Sequence, residues 1–524
     1  MIAALANPSS TVRNTWIAAV ITLLVVVLYR IIALEIAGPV MDEGVLLLYP
    51  EMILDGKVPY RDFETFYGPL NLWVLAGAYS VFGVHIVVER AVALVMLLTM
   101  MLGIFKLSRR GGLVTAISAV FLAAVCTQIM ELIAFAWLGG VMCLVWSLIL
   151  LAKPGRMAIR GAGLLAAGAL LYRPDLGPAL LAFIPMLWRL PKPARWNFAL
   201  GLGLGLVPLA MLTLVAGIRP VFENLFLYPV IYSNPGRKLP LAGAPPWVQA
   251  IFWAHITSCI LNLLAGVKNW MRQPKVVEHA LHLSVAILGG LISHQALQRA
   301  DDVHVCMTAF LSISLVPWSL VTLLRRGDEA RGWPGALASA VAIALLMAVA
   351  FRPFRSFYEH GRLALHGNDL VSISVKNGDR AYPVASLQLF QPLDRIVSFL
   401  EAHSTPGERL FVGPADLRRT NYSESYLYHL LPKLKPATYF LEMNPLSANR
   451  PDSRLASDVS SADWLVLSNR FDDWPENNAS AKFGSDAPNE VIRRQFTTVL
   501  VRPPFIVLRR SSAMQAGAVP IAAK

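Results

Sequence analysis

Long apolar runs broken by short polar joints fill residues 1–351, and beyond 352 charged and apolar positions mix as in an ordinary soluble chain. A helix needs about 20 apolar residues to cross the hydrocarbon core of a bilayer. On that basis the pattern predicts crossings near 16–34, 91–107, 113–128, 132–151, 161–172, 175–190, 197–217, 249–267, 280–297, 304–323 and 335–351. The pair 161–172 and 175–190 is short, with Arg173-Pro174-Asp175 between its halves. Charged, non-helical backbone at that depth is tolerated only where it lines a protein-walled or watery cavity. The expected fold is mainly α, a polytopic membrane helix bundle of about eleven crossings.

The segment 352–390 reads as a linker into a soluble domain ending at 524. There Arg409–Gly413, Asp463–Ser468, Thr497–Arg502 and Pro504–Arg509 read as strands, and Asp394–Ala402 and Glu424–Leu431 read as helices. A small α/β unit is expected over 352–524, after a transmembrane module over 1–351.

Charge orients the bundle. Five joints are basic: Lys106/Arg109/Arg110, Lys153/Arg156/Arg160, Arg189/Lys192/Arg195, Lys268/Arg272/Lys275 and Arg325/Arg326/Arg331. The positive-inside rule places all five in the cytoplasm and the C-terminal domain outside it. That parity holds only if the apolar run 69–83 does not cross. The run spans about 22 Å as a helix, and Trp73 and Tyr79 suit an interfacial position. One outer loop then extends over 35–90. The first apolar run, Trp16 to Leu34, has no small-residue cleavage site after it and is expected to stay as a helix.

Composition narrows the class. The chain is 56% hydrophobic and 15% charged, with a net charge of +13. Its basic residues sit in small groups between apolar runs, as membrane topology dictates, so nucleic acid is not an expected partner. The four cysteines fall in or beside apolar segments and lack metal-site spacing; the soluble domain has none. No phosphate-binding Gly-rich loop or Ser-His-Asp set stands out.

The outer loop holds the densest polar chemistry. It opens with Met41-Asp42-Glu43-Gly44 and carries Glu51, Asp55, Asp62 and Glu64, with Arg61 and Arg90 able to pair some of them. A carboxylate held beside a hydroxyl can act as general base. Asp42 equally suits the cap of a helix starting at Glu43. Other charges expected on the same side are Glu131, Arg173 with Asp175, Arg237 with Lys238, and Arg299/Asp301/Asp302/His304. Basic side chains there could hold a phosphate; local ion pairs are the alternative. His294 reads as a packing residue inside an apolar helix.

The loop is also an ordered series: Asp42-Glu43, EMILDG at 51–56, VPYRDF at 58–63, YGPL at 67–70, Phe82-Gly83 and Glu89-Arg90. It resembles the first outer loop of the GT-C superfamily of membrane glycosyltransferases. The nearest look is to protein O-mannosyltransferases, aminoarabinose transferases and bacterial polyprenyl-phosphate-sugar transferases. The resemblance implies a transferase at the outer face of the cell membrane, moving a sugar from a polyprenyl-phosphate donor to a glycan, lipid or protein acceptor with inversion. It implies Asp42 as catalytic base with Glu43 its neighbour, Glu131 as a second acidic residue, and Arg173 where relatives carry a Lys facing the lipid phosphate. Arg299 and Arg237 are further phosphate candidates, and Asp62, Glu64, Arg90, Asp175 and His304 further site candidates. The lipid-linked donor takes the place of a cofactor, and a divalent metal stays open. A transporter or flippase, or a non-catalytic binder of a lipid-linked glycan, is the alternative; a transporter would place polar groups near the bilayer midplane and show two related halves.

Overall fold

The computed structural model describes residues 8–34, 40–324, 333–349, 351–366, 373–384, 386–473 and 476–511. The basic group Arg325/Arg326/Arg331 lies outside them. The chain forms two compact units: one from residues 1–34, 93–209 and 240–369, the other from 35–92, 210–239 and 370–524.

The first unit is helical. Within the described residues each expected crossing coincides largely with helix, and the protein is a multi-pass membrane protein. Among the described residues, seven helices are long and apolar enough to cross on length and composition: Arg13–Arg30, Ile86–Gly111, Leu113–Met130, Lys192–Ala216, Pro246–Arg272, Val277–Gln298 and Asp302–Leu324. Ala136–Leu151, Arg156–Tyr172 and Pro174–Trp188 are shorter. The final helical stretch bends by 98° between Pro334–Ala348 and Arg352–Glu359.

Without a hydrophobic drive between helices in lipid, close backbone packing and polar contacts hold such a bundle. Both operate here. A Cβ on Gly163 would lie 2.1 Å from the Phe198 carbonyl oxygen, and one on Gly201 2.0 Å from that of Arg160, so only glycine permits this approach. A hydrogen-bonded ladder ties Pro246–Arg272 to its two neighbours. His255 bonds Ser293 (2.7 Å) and Ser312 (2.6 Å). The Asn262 amide donates to the Ser312 carbonyl (2.8 Å) and accepts from Ser319 Oγ (2.8 Å). His282 reaches Ser319 (3.0 Å) and Asn269 (3.3 Å).

The second unit is built on a five-stranded sheet. Strands β1 (Ile373–Asn377) and β2 (Arg380–Val384) form a separate hairpin; β3 (Arg409–Pro414), β4 (Lys435–Pro436), β5 (Trp464–Ser468), β6 (Phe496–Arg502) and β7 (Phe505–Arg510) form the sheet in the order β4-β3-β5-β7-β6. β3 runs parallel to β4 and β5, while β7 is antiparallel to β5 and β6. Every residue of β5 is buried, as the apolar run Trp464–Leu467 requires. The acidic loop belongs to this unit. It forms the helices Val40–Leu54 and Pro69–Phe82, joined where Tyr79 donates to the Leu46 carbonyl at 3.1 Å.

Three local expectations change. The helix starts at Val40, so Asp42 stands in its first turn and does not cap it. The segment read as a linker contains the helix Phe351–His366 and the β1–β2 hairpin. His294 starts a separate short helix, His294–Gln298, after a break at the end of Val277–Leu291.

Candidate functional site

In the second unit, the first turn of Val40–Leu54 splits its two carboxylates. Glu43 is fully buried and bound by Arg90, whose Nε and Nη2 donate to Oε1 and Oε2 at 2.7 and 3.0 Å. The Tyr382 hydroxyl lies 3.5 Å from Oε2. Asp42 is partly exposed. One residue apart on a helix, the two side chains point about 100° apart, which is how one enters the core and its neighbour stays at the surface.

Glu64 and Glu442, both buried, are bridged by one amide. Asn444 Nδ2 donates to Glu64 Oε2 at 3.3 Å and to Glu442 Oε2 at 3.0 Å. Ser447 Oγ donates to Glu64, and the Tyr49 hydroxyl to Glu442 at 3.2 Å. Burial pushes the Glu64 carboxyl up to about 8, with Glu442 adding to the rise and Ser447, Asn444 and Arg237 opposing it. Burial also raises Glu442, which feels the Arg237 cation and the Asp42 carboxylate. Asp42, Glu64, Glu442 and Arg237 thus share one electrostatic neighbourhood. Asp62 does not join it: Arg61 binds it at the surface (2.9 Å) and it accepts from Val58 N.

In the first unit, two arginines have the same local build. Arg173 leaves the helix Arg156–Tyr172 at φ −146°, ψ 99°, and Arg299 leaves His294–Gln298 at φ −142°, ψ 101°. Each binds the aspartate two residues on. Arg173 grips Asp175 with two bonds of 2.8 Å, and Arg299 Nε reaches Asp301 at 2.6 Å. Each aspartate also meets a histidine: His294 with Asp175 at 3.3 Å and His304 with Asp301 at 2.8 Å. Gln295 is a further donor to Asp175. Burial alone would raise the Asp301 carboxyl, but His304 and Arg299 hold it below its ordinary value. Arg173 also lies 5.6 Å over the Trp137 ring. Asp175, the rival partner for Arg173, is thus in place beside it. Glu131 takes a positive φ of 53°, beside a narrow pocket lined by Thr127, Met130 and Leu138, and the buried Arg30 donates to its carbonyl at 3.4 Å.

Sequence reasoning passed over Glu442, Asn444, Tyr382 and Gln295, and took His294 for packing. The repeated Arg-x-Asp at 173–175 and 299–301 was the legible signal for His294. Among the described residues no group of three or more His, Cys, Asp or Glu could hold a metal ion.

Fold and polar sites together define a class: a polytopic helical membrane protein whose acidic first loop is built into an α/β unit. The fold is that of ArnT. The chain superposes on ArnT from Cupriavidus metallidurans in the apo state with a TM-score of 0.51 at 14% identity, covering 97% of this chain and 100% of that one. The same protein bound to undecaprenyl phosphate gives 0.49 at 16% identity, with 98% and 100% covered. No family model and no curated protein matches the chain.

Proposed function

We propose that the protein is a GT-C-type glycosyltransferase that moves a sugar from a polyprenyl-phosphate donor to an acceptor at the outer face of the cell membrane. The observation that carries this reading is the division of labour at the loop's first turn. Glu43 is committed to Arg90 in the core, while Asp42 stays partly exposed. Asp42 takes the proton of the acceptor hydroxyl as that oxygen bonds the anomeric carbon. The bond from that carbon to the lipid phosphate breaks, and the configuration inverts. Charge grows on the departing phosphate, and cations held in place for it supply the electrostatic part of catalysis. Arg237, in the same compact unit as Asp42, and the two Arg-x-Asp turns are the candidates. The ArnT-like fold and the ordered acidic loop support the reading.

Transfer from a purified lipid-linked donor tests it. Asp42→Asn keeps size and helix but cannot accept the proton, and turnover should fall by about 10²–10⁴. Asn is nearly isosteric with Asp, so the melting temperature should hold. Near-normal turnover would remove Asp42 as the base.

A further inference from the structure

We propose that the surface around the crevice at the carboxyl ends of β3 and β5 binds a hydroxyl-rich group, a sugar ring of the acceptor, one of whose hydroxyls enters the crevice. This deepens the transferase reading and rests on it for the word acceptor.

The placement comes from the sheet. From β3 the chain passes to β4 on one side and then to β5 on the other, so the strand order reverses around β3. Ligands of open α/β sheets settle outside the carboxyl ends of strands at such a point. A shallow crevice of about 10 Å³ lies there, room for one inserted hydroxyl with the rest of a ring left at the surface, lined by Asn421, Tyr422, Glu424, Ser468, Phe471 and Asp472. In the same stretch Thr420 Oγ1 and Ser423 Oγ are buried with no hydrogen-bond partner among the described residues, a costly arrangement for a purely structural loop.

The ligand class comes from the charge balance. Arg470 Nη1 lies 3.5 Å from Glu424 Oε2, and Arg419 Nη1 donates to the Asp472 carbonyl at 3.4 Å. Glu424 and Asp472 each have a guanidinium nearby, but Asp42, Asp416 and Asp473 add further negative charge around the lining, so a phosphate is disfavoured there. Carboxylate, amide and hydroxyl groups suit vicinal sugar hydroxyls. The adjacent Tyr422 and Phe471 rings give the apolar face of a pyranose a surface.

The crevice also adjoins Asp42. Ser425 Oγ donates to the Met41 carbonyl at 3.1 Å, and a Cβ on Gly44 would come within 2.5 Å of Tyr426 N. The first turn of Val40–Leu54 therefore lies directly on the 422–426 segment. Burial raises the Tyr422 phenol above its ordinary value, and the carboxylates of Glu424 and Asp42 add to the rise.

Saturation-transfer NMR on the full chain in lipid nanodiscs tests this, with methyl glucopyranoside, methyl mannopyranoside and methyl arabinopyranoside as probes. At least one should receive saturation, and the signal should fall several-fold in Asp472→Ala and in Asn421→Ala at unchanged melting temperature. Inorganic phosphate should not displace it. Asp42→Asn should leave it intact, which separates failure of this site from failure of the transferase reading. No saturation of any probe, equal signals in wild type and both variants, or displacement by phosphate would each overturn the proposal.

Discussion

Asp42 and Glu43 are adjacent in sequence and opposite in fate, and the difference lies in partners distant in sequence, one at the far end of the loop and one beyond it. Arg90 is 47 residues away and Tyr382 is 339. The acidic pair was legible; which member is held in the core was not. Breaking a buried pair from one side leaves an uncompensated charge and costs about 3–5 kcal/mol. Arg90→Met should therefore lower the detergent melting temperature sharply, and Glu43→Met with Arg90→Met should recover much of the loss. A single variant that melts like wild type would show the pair to be dispensable. Glu64 gives a pH signature. Its carboxyl rises from about 4.5 to about 8 on folding, so the folded chain holds a proton that the unfolded chain releases. The contribution of this group is complete below about pH 4.5 and is lost as pH rises through 8. Glu64→Gln should flatten the fall in melting temperature across that window; an unchanged slope would assign the fall to other groups.

At the scale of elements, the apolar runs between 16 and 351 were readable because a bilayer leaves the backbone few alternatives to helix. The hairpin of β1 and β2 was missed although it carries a turn signal: Gly378, at φ 59°, opens its two-residue loop. Its strands are short and mixed in character, and their order comes from pairing with each other. The two Arg-x-Asp turns were legible as a sequence repeat, but their shared backbone angles and the histidine each aspartate meets were not. If the first turn receives a phosphate, Arg173→Ala should weaken binding of the lipid-linked donor much more than Asp175→Ala does. A structural ion pair predicts equal losses of stability from both and no selective loss of donor affinity. Equilibrium binding to a labelled polyprenyl-phosphate sugar, with melting measured alongside, separates the two.

For the whole molecule, the basic joints and the proposed interfacial placement of 69–83 predict a C-terminal domain outside the cytoplasm. A fluorescent protein that matures only in the cytoplasm, fused after Lys524, should stay dark; a bright fusion would reverse the topology and move the proposed active face with it. Chain order adds a different constraint. The second compact unit takes its parts from 35–92, 210–239 and 370–524. Its first part leaves the ribosome roughly 280 residues before the segment that begins at 370. At about 5–20 residues per second that is a delay on the order of 15–55 seconds. Until then Glu43 lacks Tyr382, and Glu64 lacks Asn444 and Ser447. The acidic loop therefore spends most of translation as an unfinished fragment, and this interval is when a chaperone or quality-control protease would meet it.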